Sequence, residues 1–219
     1  MDTAQEIAWT KVREIAEIQI GYQNRDSARP ASALTKGSHR IIQIKDLDPE
    51  RRFKSMILDR GGIAPYVWPK NIFWITPPGD AERYLVKRGD VLFLSRGQKP
   101  FAVAVSDDLP QTIASYYFYI LRPDSNRILP EYLAWFINQP SAQAYLESRQ
   151  LGSHIKMVPK LAFEELAVAL PPLATQRAIV ALEKLRQKEE HFMAQLAKAR
   201  KRLIDGVALL AATGNSARQ

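Results

Sequence analysis

The spacing of hydrophobic residues changes several times along this chain, and each change marks off a segment. From Ile7 to Ile20 the apolar positions are Ile7, Trp9, Val12, Ile15, Ile18 and Ile20. That spacing is part helical and part alternating, so helix and strand both stay open. Residues 21–40, GYQNRDSARPASALTKGSHR, are rich in Gly, Ser, Pro, Asn and basic side chains and read as a loop. RIIQIKDL then alternates and predicts a strand. DPERRFKS reads as a turn with a basic cluster, and APYVWPKNIFWITPPG as short extended pieces broken by prolines.

From residue 84 the pattern sharpens. YLVKRGDVLFLSRGQKPFAVAVS predicts strand, turn, strand, turn, strand, with Gly89-Asp90 as a turn pair and Val91 to Leu94 as a compact apolar run. SYYFYILRP predicts another strand, with Tyr116, Tyr117, Phe118 and Tyr119 alternating along it as core or sheet surface. LPEYLAWFINQPSAQAYLES changes to helical spacing: Tyr132, Leu133, Phe136 and Ile137 share a face, and Pro130 suits a first turn. RQLGSHIKMVPKLAFEELAVALPP returns to short pieces ending in an apolar strand before Pro171 and Pro172.

The last change comes at Leu173. Steps of seven from Leu182 give Glu189, Leu196, Leu203 and Leu210, with a companion row of Leu185, Phe192, Ala199 and Gly206. This is a coiled-coil seam with Glu189 as its weak position. Forty helical residues reach roughly 60 Å, too long for one face of a small domain, so pairing with another helix is favoured over packing back on the chain's own core. The expected organisation is a mixed α/β (α+β) domain over 1–172, a helix over 173–212 and a flexible tail over 213–219.

Charge narrows the partners. The 219 residues carry a formal +8, and residues 173–219 hold nine basic against four acidic groups. Such a balance favours polyanions, because neutralising phosphates releases counterions. There is no cysteine, which removes disulfides and thiolate chemistry and fits the cytoplasm. The three histidines, His39, His154 and His191, are far apart in sequence and give a metal site little support. No apolar run is long enough to cross a bilayer, so no membrane partner is expected.

Catalytic signatures are missing. The Pro-Pro pairs lie in Thr76-Pro77-Pro78-Gly79 and Leu170-Pro171-Pro172-Leu173, neither of which is the Asn/Asp-Pro-Pro-aromatic motif of a DNA adenine methyltransferase. No phosphate-cradling Gly-x4-Gly-Lys-Ser/Thr stretch occurs. The chain is expected not to be an enzyme.

Four stretches in order carry a family resemblance: WTKVREIAEIQIG, RIIQIKDL, RGDVLFLSRGQKPFAVAVSDDLPQTIASYYFYILRPD, and GSHIKMVPKLAFEELAVALPPLATQRAIVALEKL. Together they resemble type I restriction–modification specificity subunits. The resemblance implies a target-recognition domain followed by a spacer helix. Two such domains, held apart by paired antiparallel helices, each read half of a bipartite DNA site. The chemistry would belong to a methyltransferase subunit using S-adenosylmethionine and a restriction (motor-nuclease) subunit using ATP, with no cofactor in this chain. A typical member has two recognition domains and two spacer helices, whereas this chain has one of each. A half-sized subunit that self-associates, or a truncation, would account for that; a two-fold homodimer would read an inverted repeat.

Double-stranded DNA needs Lys and Arg for phosphates and side chains that reach base edges. The candidates are Lys36, His39 and Arg40 in TKGSHR; Arg51, Arg52 and Lys54 in ERRFK; Arg96 and Lys99 in SRGQK; and Ser153, His154 and Lys156 in GSHIK. Each also has a plainer role open to it: a solvated surface beside Asp46, Asp48 and Glu50 for the second group, a strand-bridging arginine for Arg96. The partner helix is expected to use Leu182, Leu185, Phe192, Leu196, Leu203 and Leu210. Two other readings compete: a coiled-coil scaffold whose head no longer reads DNA, and an RNA-binding module. Salt separates the first from DNA reading, since phosphate contacts weaken steeply as salt rises. The RNA reading lacks an aromatic stacking platform.

Overall fold

The apolar run Val91–Leu94 is buried at all four positions, and the rest of the head is arranged around it. The computed structural model describes residues 7–23, 29–30, 36–46, 72–77, 80–97 and 99–214. Strands β1 (Ala8–Lys11) and β2 (Ala16–Ile20) flank a single helical turn, α1 (Val12–Ile15). Strands β3 (Arg29–Pro30), β4 (His39–Ile42), β5 (Phe73–Thr76), β6 (Val91–Leu94), β7 (Phe101–Ala104), β8 (Thr112–Ala114) and β9 (Phe118–Pro123) follow. Helices α2 (Pro130–Ile137), α3 (Pro140–Ser148) and α4 (Lys160–Glu164) precede β10 (Ala167–Leu170) and the long α5 (Leu173–Thr213).

The first sheet is antiparallel, in the order β2-β9-β6-β7. Because alternate strand residues point to opposite faces, β6 is divided between two cores. Val91 and Phe93 join Tyr119, Leu121, Val12, Ile15, Tyr132 and Phe163 on the helical side. Leu92 and Leu94 join Phe118, Ile120, Ile42 and Ala114 on the side of the second sheet. That sheet runs β3-β5-β4-β8, with β4 and β8 parallel, and its Ile41, Ile75 and Ile113 gather a third cluster with Tyr22 and Ala81. The edge of the first sheet is closed by one side chain. The Asn138 amide accepts from the Ala102 N–H and donates to its carbonyl, both at 2.8 Å, standing in for a further strand.

Several segments differ from their sequence pattern. The strand expected from Tyr84 is a 3-10 turn over Glu82–Tyr84 followed by one isolated bridge from Leu85 to Ile113. RIIQIKDL is strand only to Ile42, with a 3-10 turn over Ile44–Asp46. The mixed spacing of residues 7–20 is strand, one helical turn, strand. Tyr116 and Tyr117 lie in a turn before β9, closed by the Phe118 N–H donating to the Ser115 carbonyl at 2.9 Å. They are not strand residues. The helical segment after residue 129 is two helices, because Pro140 holds the preceding Gln139 extended at ψ 151.

Strand β1 pairs with β10, from Ala8 opposite Leu170 to Lys11 opposite Ala167. This places the first described strand at the root of α5. Pro172 stands at the N-cap with ψ 147 and turns the chain out of β10 into the helix. Gln176 is fully buried: its Oε1 accepts from the Leu129 N–H, and its Nε2 donates to the Arg127 and Pro171 carbonyls, all at 2.9 Å. Ile179 and Val180 pack on the head's core. From Phe192 to Gly214 every side chain is exposed, and Gly214 ends the helix with φ 63. Leu182, Leu185, Phe192, Leu196, Leu203 and Leu210 are all exposed, between 45% and 68%.

Candidate nucleic-acid interface

Two of the basic stretches, remote in sequence, meet at the end of β6. The Val158 N–H donates to the Ser95 carbonyl at 2.8 Å, and the Gly97 N–H to the Lys156 carbonyl at 2.9 Å. Between these bonds Arg96 faces Met157 in an antiparallel bridge. Leu151 and Met157 exchange both backbone hydrogen bonds at 2.8 Å, which pinches residues 151–157 into a tight loop carrying exposed Ser153, His154, Ile155 and Lys156. The root of the loop is fixed from below, where the Tyr119 hydroxyl donates to the Val158 carbonyl at 2.8 Å. Burial pushes that phenol's pKa up, so it remains a donor.

Gly152 closes the loop with φ 103, and a Cβ there would lie 2.5 Å from the Ile155 carbonyl oxygen. Gly152→Ala is therefore expected to destabilise the loop by about 2 kcal/mol while the head stays folded. Amide exchange should speed up at Leu151 and Met157 and stay slow in β6 and β9. Unchanged exchange at both residues would show that the loop does not need its glycine.

Beside Arg96 lies a cavity of about 330 Å³. Gln19, Ile20, Gly21 and Gln23, at and beyond the end of β2, form one side; Tyr84, Arg96 and Tyr116 complete it. The Arg96 guanidinium carbon is 5.1 Å from the centre of the Tyr116 ring, and Tyr116 in turn packs on Tyr117 at 4.3 Å. Tyr84 meets Tyr22 edge-on at 5.3 Å. Gly21 has a structural reason to be glycine, since a Cβ there would come within 2.2 Å of the Ser115 carbonyl oxygen. The backbone could not pass so close to the 114–116 turn with any side chain in the way.

The other candidates are placed differently. His39 and Arg40 belong to β4 in the second sheet, where His39 Nδ1 is 3.0 Å from the Gly37 carbonyl. Arg40 donates to the Pro110 carbonyl at 2.8 Å and lies over Trp74 at 5.9 Å, a position that ties the 110–112 turn to the sheet. Burial lowers its pKa. Lys36 and Lys99 are exposed. Arg51, Arg52 and Lys54 lie outside the described residues. Among the described residues no group of three or more His, Asp or Glu is gathered to hold a metal ion, and no helix is long and apolar enough to cross a membrane.

Residues 40–191 match the family model of the type I restriction modification DNA specificity domain. That span takes in the second sheet apart from β3 and the first residue of β4, β6 with its bridge to Met157, and the root of α5. The chain belongs to this family. Solved structures agree in fold. The S subunit of a type I restriction–modification system from M. genitalium matches with a TM-score of 0.51 at 14% identity, covering 99% of this chain and 49% of that one. The HsdS subunit from Thermoanaerobacter tengcongensis matches at 0.55 and 19%, covering 89% and 41%. A structure from work on complex assembly and conformational transition of the type I R-M system matches at 0.59 and 18%, covering 96% and 47%. The chain thus spans about half the length of the structures it matches. Comparison with curated protein sequences gives no match.

On this specificity domain the resembling stretches fall at structural junctions. GDVLFLSRG is β6 with its bridging loop, and LPPLATQ is the root of α5 down to the buried Gln176. The residues that sequence reasoning passed over are Gln19, Gln23 and Tyr84, together with Tyr116, which was assigned to a strand. The signal available for them was Gly21 within an otherwise extended run, a mark of close backbone approach.

Proposed function

We propose that this specificity domain binds double-stranded DNA and reads one half-site, forming a homodimer through α5 so that two heads face an inverted repeat. The chain itself supplies no catalysis. It recruits a methyltransferase subunit that binds S-adenosylmethionine and a restriction subunit that hydrolyses ATP. The observation that carries this reading is the family match, which runs through the loops joined at Arg96 and Met157 and ends on the spacer helix. The exposed apolar row of α5 supports pairing with a second helix. The +8 charge supports a polyanion partner.

The test is duplex binding by the purified chain across a salt series, using a randomised pool with selection. A selected sequence and a steep fall in affinity with salt are expected. No selection and no salt dependence would leave a protein-interaction scaffold. Within that experiment Lys99→Gln and Lys156→Gln should each weaken every duplex alike and lower the salt slope by about one. An unchanged slope would remove those lysines from the phosphate contacts.

A further inference from the structure

The basic loop explains affinity but not choice of sequence, because phosphate contacts carry no base information. Discrimination needs donor and acceptor pairs on fixed supports. The cavity beside Arg96 offers them. It brings together Gln19 and Gln23, Arg96, and Tyr84 and Tyr116; the Gln19 Nε2 donates to the Ile20 carbonyl at 2.7 Å, a bond that pairing with a base would replace. Among the described residues that line it there is no carboxylate. A carboxamide is neutral and releases no counterions; what it offers a duplex is paired hydrogen bonding, best matched by the N6/N7 edge of adenine, while a guanidinium matches the O6/N7 edge of guanine.

The supports are fixed. Arg96 is held in the bridge to Met157, with hydrogen bonds on either side of it. Tyr116 is backed by Tyr117 and by its own N–H, which donates to the Tyr22 carbonyl at 2.8 Å. Gln19 lies on β2 and Gln23 just past the isolated bridge of Tyr22 to Ser115. Arg96 belongs both to the loop junction and to the cavity lining, so the cavity adjoins the 151–157 loop. We propose that Gln19, Gln23 and Arg96, walled by Tyr84 and Tyr116, read base edges, while the 151–157 loop holds the backbone.

This inference rests on the DNA-reading function and deepens it. The experiment compares the parent with Gln19→Ala, Gln23→Ala and Gln23→Glu, using the selected duplex, versions changed one base pair at a time, and a scrambled duplex. Gln23 is exposed and Gln19 half-buried at the end of β2, and melting temperatures close to the parent's serve as the folding control. Each alanine variant should lose about tenfold or more on the selected duplex and less than twofold on the scrambled one, with preference relaxed at one position and the salt slope unchanged. Gln23→Glu should move the preference at that position towards cytosine, whose N4 amino group a carboxylate can accept from. Equal losses on selected and scrambled duplexes would make the cavity a backbone contact, and unchanged preference in all three variants would remove it from recognition; either result overturns the proposal. A parent that selects no sequence would overturn the DNA reading itself, an outcome separate from the other two.

Discussion

Leu196→Asp combined with Leu203→Asp is expected to leave a folded monomer, whereas the parent is expected to sediment at twice the chain mass. Both leucines lie on the seven-residue row, at 45% and 68% exposure, on a stretch of α5 where every side chain faces solvent. Burying one such side chain is worth about 1.5–3 kcal/mol. A two-fold pair buries each row position twice, and the sum must exceed an association cost of roughly 4–15 kcal/mol. The double variant removes four of those burials and puts four carboxylates into an apolar seam, at several kcal/mol for each buried ion. Neither leucine is among the residues packed on the head, so the melting transition of the head should not move. Light scattering reads the result directly, and a parent-like mass for the variant would show that α5 is not the interface. The monomer should also lose its advantage on an inverted repeat over a single half-site, roughly 100-fold or more where two linked heads engage together.

Gln176→Ala is expected to have the largest effect on the head. The side chain has no exposed surface, and its amide pairs the Leu129 N–H with the Arg127 and Pro171 carbonyls. Truncation leaves those three backbone groups without their partner, at about 1–3 kcal/mol for each buried group left unmade. A loss of about 3 kcal/mol corresponds to a fall of about 10 °C in Tm for a chain of this size. The three bonds join the loop before α2, the end of β10 and the first turn of α5, so they also set the angle at which the helix leaves. Gln176→Glu is the informative companion. It keeps the acceptor for Leu129 but places a charge with no cation among the bonded groups, and should destabilise at least as much. A melting temperature within a degree or two of the parent for both variants would show that the junction is held by Ile179 and Val180 alone.

Sequence periodicity was most informative where one element had one environment. Val91–Leu94 reads as a strand because both its faces are buried, and α5 begins where Pro171 and Pro172 stop β10. Residues 7–20 could not be assigned because a helical turn between two strands puts two periods into a very short stretch. Pairings such as β1 with β10 and the parallel β4–β8 ladder are contacts between distant segments, which no local spacing encodes. The same holds for the candidate interface. SRGQK and GSHIK were each visible as basic loops, but their junction depends on a single backbone bridge from Arg96 to Met157. Arg40 looked like its neighbours in composition, yet the turn at Pro110 occupies it. Gln19 and Gln23 are ordinary polar residues until the fold brings Tyr84 and Tyr116 opposite them. Gln176 stood out only as part of a family pattern, because its importance lies in three carbonyl and amide partners supplied from elsewhere in the chain.

The pairing of β1 with β10 has a consequence for how a longer molecule could arise. Ala8 lies opposite Leu170, so the first described strand of the head lies beside the point where its own helix departs. In a homodimer through α5 with antiparallel helices, as the family resemblance implies, the tip of one helix would come to rest near the root of the other, next to the second head's first described strand. Two such units in one polypeptide could then follow one another from helix tip to first described strand with neither head rewired. The matched structures, about twice the length of this chain, have the size of two such units.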